Sequence, residues 1–352
     1  MIHSPDTSCF MRNKLPEEHL KTIPGSTHPS KPLTTGVLNE YQKKMILDRV
    51  YNYTLSQDVQ HFVKEYEKVF NIRNTFLWKW VGVVYGETGV ILSTADTTYH
   101  DSITELKILF TMAVTVIDDV AELYKDEELL GKIFDIIRNQ ETPLENEEKK
   151  VVFFKNVWNH FLEVLKSYPR YEEFKDIFWY DFEQLMNTAR YNLLVSKHPE
   201  MMNLQEIHNY DCHNMIVFLL NGIDLMVSPS FDKKDLAYMR TAFWHAQQMA
   251  RIGNWLSTWK RELREKDFCS GVFAYAFMNG IIDVHDVEKL SDEEIIQRIE
   301  TSDMQGYFME IWKENYAKLS ALKSKIHSVD MDAYIRGLEN VIQFHLASEG
   351  LK

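Results

Sequence analysis

Two short segments of the chain carry oxygen-bearing side chains at helical spacing. In the first, TVIDDVAELYKDEELLG at residues 115–131, Asp118 and Glu122 are four positions apart and Asp119 lies beside them. Residues four apart share one face of a helix, one turn from each other. These acids end an apolar run, and an unpaired carboxylate is costly to bury. The segment therefore indicates either a helix that enters solvent or a site for a bound cation.

The second segment, ARIGNWLSTWKRELREKDFCSGVF at residues 250–273, repeats the spacing. Asn254, Thr258 and Glu262 recur at steps of four, so on a helix they would stack on one face over about 12 Å. An amide, a hydroxyl and a carboxylate all offer oxygen atoms, the ligands that Mg²⁺ prefers beside substrate phosphates. Either segment alone is explained as simply by a polar stripe on an amphipathic helix. Together they favour a cluster of divalent cations held between two helices.

The elements that must position these side chains are predicted to be helices. Five of the nine prolines lie within the first 32 residues and none follows Pro229, and proline breaks helices. Residues 1–36 are therefore expected to form a flexible N-terminal arm, and residues 37–352 one domain. Helical periodicity, as in LLGKIFDIIRNQ, and the lack of hairpin signals predict an all-α fold of about ten helices or more, one of them over residues 104–124.

Composition limits the classes of function. The formal charge of −13 argues against nucleic-acid binding, which normally needs a basic surface. Three widely spaced cysteines without a CxxC pair favour a reducing compartment, and we expect a cytoplasmic protein. No segment reaches the roughly 18 apolar residues of a membrane span. Trp78, Trp80 and Tyr85 are predicted to be core residues, because large aromatic side chains dominate protein cores.

The two motifs resemble those of class I terpene synthases of the short, single-domain microbial type, whose relatives occur also in corals. DDVAE resembles the aspartate-rich metal motif of that family. NWLSTWKRE resembles its second metal motif, an Asn or Asp followed four residues later by Ser or Thr and four later again by Glu. With LSTADTTYHDSITELK, DCHNM and REKDFCSGVF, the resemblance covers most of residues 70–345. It implies a single-domain class I terpenoid synthase-like helical bundle around a central cavity.

The resemblance also implies a set of metal ligands. Asp118 and Glu122 would bind Mg²⁺, with Asp119 as a supporting acid among the ligands. A further Mg²⁺ would be held by Asn254, Thr258 and Glu262, in a cluster of three ions in which Mn²⁺ can replace Mg²⁺. The residues implied to be catalytic through the metal are Asp118, Glu122 and Glu262.

Substrate-binding residues follow the family pattern less closely. Arg261 stands where the family often has a basic residue before the Glu, and it would contact diphosphate. The family's arginine sensor of diphosphate has no counterpart in QEIHNYDCHNM, which leaves His208, His213 or Arg190 as candidates. Asn214 or Thr115 is a candidate to steer a late proton loss.

The activity that the resemblance implies is Mg²⁺-dependent cyclisation of a linear prenyl diphosphate. The expected substrate is geranylgeranyl diphosphate, giving a cyclic diterpene hydrocarbon or alcohol plus diphosphate. The alternatives are a sesquiterpene cyclase acting on farnesyl diphosphate, a chain-elongating prenyltransferase and a non-catalytic helical interaction protein. The expected partner is a small molecule and not a nucleic acid, and the assembly state is open, with a homodimer as one option.

Overall fold

The computed structural model of the chain describes residues 38–138 and 148–352. Within these ranges the chain is all-α, as predicted, with α-helices, short 3₁₀ turns and no β-strand. The expected N-terminal arm, residues 1–36, lies outside the described residues. The α-helices are α1 (Glu40–Asn52), α2 (Gln57–Val69), α3 (Thr75–Glu87), α4 (His100–Glu122), α5 (Glu127–Ile137), α6 (Lys149–Ser167), α7 (Tyr171–Lys197), α8 (Leu204–Asn209), α9 (Val217–Met226), α10 (Leu236–Glu265), α11 (Gly271–Met278), α12 (Asp286–Lys289), α13 (Asp292–Glu300), α14 (Met304–Ala321) and α15 (Met331–Ala347).

Two long helices carry the predicted motifs. Helix α4 begins at His100, earlier than the expected residue 104, and ends at Glu122, where Leu123 N–H donates to the carbonyl of Asp119. Helix α10 runs without interruption for 30 residues. Neither helix contains a proline, and both bury most of their length. The motif side chains therefore stand on rigid, well-packed helices.

The end of α10 turns the chain back toward the motif. Lys266 has a left-handed backbone with φ of 59°. Its N–H donates to the carbonyl of Leu263 at 3.1 Å, and Asp267 N–H donates to the carbonyl of Glu262 at 2.9 Å. This hydrogen-bond pair is a Schellman motif, which satisfies the last carbonyls of a helix. It places Asp267 beside Glu262, the last residue of the second motif.

Helix α3 makes close backbone contacts with its neighbours. A Cβ added at Gly86 would lie 2.7 Å from the Thr104 side chain of α4, and one at Gly337 of α15 would lie 2.6 Å from the backbone of Gly89. Real Cβ atoms do not approach so closely, so glycine is needed at Gly86 and Gly337 for this close packing. The last turn of α3 and the segment after it are thereby held close to α4 and α15.

A cluster of aromatic side chains fills the space between α4, α6 and α7. Phe110 of α4 stacks on Phe161 of α6 with ring centroids 4.8 Å apart, and Phe178 and Phe182 of α7 pack around Phe110. These rings are fully or nearly fully buried. None of the helices in the described ranges combines the length and apolar surface that crossing a lipid bilayer requires.

Candidate functional site

One cavity of about 140 Å³ brings the two predicted motifs together. Asp118 and Glu122 reach it from α4, and Asn254, Thr258 and Glu262 reach it from α10. Each set follows steps of four, so each forms a single stripe on its helix. The packing of the bundle turns both stripes toward the same space.

The remaining wall of the cavity is largely apolar and comes from α3, α4 and the segment before α9. Trp80 and Tyr85 line the cavity, whereas Trp78 is fully buried in the core. All three are buried, as predicted for core residues, but Trp80 and Tyr85 also line the cavity, which was not predicted. Helix α3 is buried on every face, so its sequence pattern contains no signal for the direction of the cavity. The other lining residues on this wall are Leu77, Val81, Thr111, Val114, Thr115, Met215 and Ile216.

Two carboxylates of the first motif are held by amide donors. Asn214 Nδ2 donates to Asp118 Oδ1, and Asn192 Nδ2 donates to Glu122 Oε1. Glu122 also shares a hydrogen bond with Asp267, which lines the cavity too. Burial, together with the nearby charge of Asp118, raises the pKa of Glu122 well above its usual range. The contact with Glu122 accompanies a raised pKa of Asp267 too, because burial disfavours its charged form.

Asp119 does not face the cavity. Arg73 Nη2 donates to its Oδ1 at 2.6 Å and the Tyr66 hydroxyl donates to its Oδ2 at 3.2 Å. Burial raises the pKa of Asp119 to about 6 despite the opposing effect of Arg73. Asp119 thus fixes Arg73, which does line the cavity, and lies apart from the carboxylates with which it was grouped.

Arg251 is a cavity residue that the sequence analysis missed. It is buried, and its Nε and Nη2 donate to the two carboxylate oxygens of Asp211, both at 2.7 Å. Its Nη1 donates to Asn254 Oδ1 at 2.7 Å. Arg251 precedes Asn254 by three positions, and residues three apart also share a helix face, so a step of three could have found it. The guanidinium therefore stands at one end of the second motif.

Two further basic side chains line the cavity. Arg261, as predicted for its position, reaches it from α10 and pairs with Glu265, four residues later. Lys352, which was not predicted, has its Nζ 2.7 Å from His345 Nδ1 and 4.4 Å from the centre of the Trp80 ring. Burial, together with the positive charge of Arg261, lowers the pKa of Lys352 to about 7. No sequence pattern marks this lysine.

The cavity has more negative charge than its cations neutralise. Its three arginines are each paired with a carboxylate behind the lining, Asp119, Asp211 or Glu265. Among the described residues no ion pair is found for Asp118, Glu122 or Asp267. Glu262 approaches Arg261 only at 3.7 Å, and its buried Oε2 has no hydrogen-bond partner there. Burial and the nearby Asp267 raise the pKa of Glu262 to about 7.

These oxygen donors fit a hard divalent cation. In the part of the chain that the structure describes, no three His, Cys, Asp or Glu side chains form a ready-made metal cage. Mg²⁺ seldom uses such a cage, since it commonly takes one or two carboxylates and completes its shell with water and phosphate oxygens. The unpartnered Glu262 Oε2 and the raised carboxyl pKa values are what such a donor set is expected to have without a cation.

Three candidates for substrate binding do not line the cavity: Arg190, His208 and His213. Arg190 is exposed on α7, where its guanidinium covers the Phe134 ring at 4.8 Å. His213 has its Nδ1 3.2 Å from Gln247 Nε2, and it does not line the cavity. The neighbouring Asn214 does face the cavity, because the 3₁₀ turn Asp211–Met215 sends the side chains of His213 and Asn214 in different directions. His208 packs on Trp255 instead, with ring centroids 5.5 Å apart.

The backbone beside Asn214 has an uncommon conformation. Ile216 joins the 3₁₀ turn to α9 and has a left-handed backbone, with φ of 50°. β-Branched residues rarely adopt this region. The Ile216 N–H donates to the carbonyl of His213 at 3.0 Å, and its own carbonyl accepts from Leu220. This kink carries Asn214 and Met215 onto the cavity wall.

Comparison with known proteins finds a resemblance at the level of solved structures. A linalool/nerolidol synthase from Streptomyces clavuligerus, in complex with 2-fluorogeranyl diphosphate, is 11% identical, with a TM-score of 0.49, over 87% of this chain and 96% of that chain. A polyprenyl synthetase from Streptomyces coelicolor is 12% identical, with a TM-score of 0.47, over 85% and 96%. No family model and no curated protein matches the chain.

The raised pKa of Glu262 predicts how stability depends on pH. Because the folded state holds this proton more tightly than the unfolded state, stability is highest below the usual glutamate pKa and falls as pH rises toward about 7. Glu262→Gln should therefore be more stable than the unchanged protein at pH 8 by about 1–3 kcal/mol, with little difference at pH 4.5. Urea unfolding in the presence of a chelator measures both values.

The matched control is Glu163→Gln, which removes a charge from an exposed position on α6. It should change stability by less than about 0.5 kcal/mol at either pH. If Glu262→Gln is no more stable than the unchanged protein at pH 8, then ionisation of Glu262 does not destabilise the fold and its pKa is not raised.

Proposed function

We propose that the chain is a Mg²⁺-dependent class I terpene cyclase that ionises a linear prenyl diphosphate. The observation that carries the proposal is the meeting of the α4 and α10 oxygen stripes at one cavity whose remaining wall is apolar and aromatic. A polar, acid-rich mouth suits a metal-bound diphosphate. An apolar wall suits the hydrocarbon chain attached to it.

The diphosphate end would be held by side chains from both stripes. Asp118 and Glu122 on α4 would face Asn254, Thr258 and Glu262 on α10, with Mg²⁺ and diphosphate oxygens between them; we propose three ions, which Mn²⁺ can replace. Bound Mg²⁺ would supply Lewis-acid stabilisation of the negative charge on the leaving diphosphate. Asp119 acts in this proposal only through Arg73.

The basic side chains would contribute directed positive charge. Arg251 is fixed by two hydrogen bonds to Asp211, and such a pre-organised guanidinium stabilises charge without rearranging. Arg261 would exchange its contact with Glu265 for the diphosphate. Neither role needs a nucleophile, which agrees with C–O bond ionisation as the first step.

The apolar wall would protect and guide the carbocation. The rings of Trp80 and Tyr85 line the cavity, and an aromatic face attracts a cation through its quadrupole. Exclusion of water by the surrounding aliphatic side chains would delay quenching. Asn214 donates to Asp118, so we now propose that it orients the metal motif and not that it accepts a late proton.

The preferred substrate in this proposal is geranylgeranyl diphosphate, with farnesyl diphosphate as the alternative. The α4 residues on the wall, Thr111, Val114 and Thr115, are of modest size, and a second cavity lies beyond Tyr85. Pockets for ligands of this size usually have about 300–1,000 Å³, so the cavity of about 140 Å³ must widen on binding. Separation of the two stripes by metal and diphosphate would provide that widening.

Product analysis tests the function directly. The protein is incubated with Mg²⁺ and equal concentrations of the C10, C15, C20 and C25 prenyl diphosphates, and the extract is examined by gas chromatography and mass spectrometry. A cyclic C20 product with release of diphosphate is expected. Products that keep their diphosphate would instead identify an elongating enzyme. A C15 product in about tenfold excess, a difference of about 1.4 kcal/mol in transition-state binding, would contradict the C20 preference.

Loss of a proposed metal ligand should abolish turnover and leave the fold intact. Asp118→Asn and Glu262→Gln keep side-chain shape but remove a charged oxygen, so we expect at least about 100-fold lower diphosphate release for each. Thr258→Ala should lose less, because a neutral hydroxyl is the weaker ligand. Steady-state rates at several Mg²⁺ concentrations, with circular dichroism to verify folding, measure this order. Full activity in both acidic variants would remove the basis of the metal assignment.

Arg261 and Arg190 form a matched pair for testing diphosphate binding. Arg261 lines the cavity and Arg190 is exposed on α7. Arg261→Gln should weaken the Mg²⁺-dependent binding of inorganic diphosphate by about tenfold or more, whereas Arg190→Gln should bind as the unchanged protein does. Isothermal titration calorimetry gives both affinities. Equal affinities for the two variants would exclude Arg261 from the diphosphate site.

A further inference from the structure

A second, smaller cavity lies beyond Tyr85, which lines both cavities. Its volume is about 20 Å³. Most of its lining is aliphatic, from Val90, Val217, Leu220, Ala250, Leu338 and Val341. Three polar side chains interrupt this lining: Lys107 of α4, Asn221 of α9 and Tyr334 of α15. Contact with an apolar substrate tail would not require polar side chains in this second cavity.

Each of the three polar groups has unused hydrogen-bonding capacity. Asn221 Nδ2 donates to the carbonyl of Val217 at 2.8 Å and to the Tyr334 hydroxyl at 3.3 Å, but its buried Oδ1 has no partner among the described residues. Tyr334 is buried and only accepts in this contact, so its own proton is available. The Lys107 ammonium has three donors and forms its ion pair with Asp224 Oδ1 at 2.6 Å.

The Lys107–Asp224 pair is completely enclosed. Lys107 is 1% exposed and Asp224 is 0% exposed, and Asp224 Oδ2 also accepts from the Leu92 N–H at 3.3 Å. A buried ion pair costs desolvation energy that apolar residues of the same volume avoid. Its position against a cavity that adjoins the substrate cavity therefore indicates a role beyond packing.

The size and chemistry of this cavity match one water molecule. A polar cavity needs on the order of 10–15 Å³ to hold a water, and the water needs two to four polar partners. Lys107 and Tyr334 can donate to the water oxygen, and Asn221 Oδ1 can accept from it. We propose that this cavity holds the water that quenches the final carbocation, so that the enzyme forms a terpene alcohol. The inference rests on the proposed function and adds the class of product.

The step balances within the residues present. A lone pair of the water oxygen forms the C–O bond to the cationic carbon, which gives a protonated alcohol. That oxygen returns one proton to Lys107 as the Lys107 ammonium transfers one to the Asp224 carboxylate. The neutral alcohol, the Lys107 ammonium and a protonated Asp224 remain. Tyr85, at the boundary of the two cavities, would separate the water from the cation until the tail reaches it.

Isotope labelling tests the origin of the oxygen. The unchanged protein is incubated with Mg²⁺ and the prenyl diphosphates in water enriched in oxygen-18. The expected main product is an alcohol that carries one oxygen-18 atom. Hydrocarbons alone, or an alcohol without the label, would overturn the water site. No diphosphate release from any substrate would instead overturn the proposed function on which the inference rests.

Two substitutions test the site by different means. Asn221→Leu removes the acceptor, and Val341→Ile fills the cavity with one methylene and keeps every polar group. In each, the ratio of alcohol to hydrocarbon should fall by at least about tenfold. Val157→Ile is the matched control, because Val157 is fully buried on α6 and lines neither cavity, and it should keep the original ratio.

If Asn221→Leu does not fold, Val341→Ile alone tests the proposal, because Val341→Ile leaves every polar group of the cavity in place. Folding of each variant is verified by circular dichroism. An unchanged ratio in folded Val341→Ile would overturn the proposal.

Discussion

Uncompensated negative charge at the cavity mouth is the constraint on which the rest of the site depends. Three carboxylates lining the cavity, Asp118, Glu122 and Asp267, have no ion-pair partner in the described ranges, and the fourth, Glu262, has only a long one. Burial alone would favour neutral aliphatic residues at these positions. The chain instead keeps acids there, and burial raises their pKa values. Such a site suits the exchange of bound protons for metal cations.

The same constraint explains how the arginines are arranged. Arg73, Arg251 and Arg261 could each have neutralised a cavity carboxylate, but each is bound from behind by Asp119, Asp211 or Glu265. This second layer of acids keeps the guanidinium groups from collapsing onto the cavity carboxylates. Opposite charges therefore stay separated around one space, an arrangement that suits a ligand with both metal cations and phosphate oxygens.

Much of this site was predictable from periodicity and some of it was not. Steps of four along α4 and α10 fix which residues share a helix face, so the two stripes followed from sequence spacing. A step of three back from Asn254, which keeps to the same helix face, would have included Arg251. Asp267 depends on the left-handed turn at Lys266, and Trp80 and Tyr85 stand on a helix buried all round. Arg190 and His213 were chosen by proximity in sequence, which does not determine the direction of a side chain.

The left-handed backbone of Ile216 has a consequence for how this protein can change over evolutionary time. A non-glycine residue in this conformation costs roughly 1–2 kcal/mol, and glycine would adopt it freely. The Ile216 side chain is buried, however, and truncating it would cost about 2–5 kcal/mol of packing, more than the backbone strain. Keeping isoleucine there holds the kink stiff and keeps a methyl-rich side chain on the cavity wall. Position 216 is therefore expected to tolerate few replacements, because a residue that relaxes the backbone removes the packing and one that keeps the packing retains the strain.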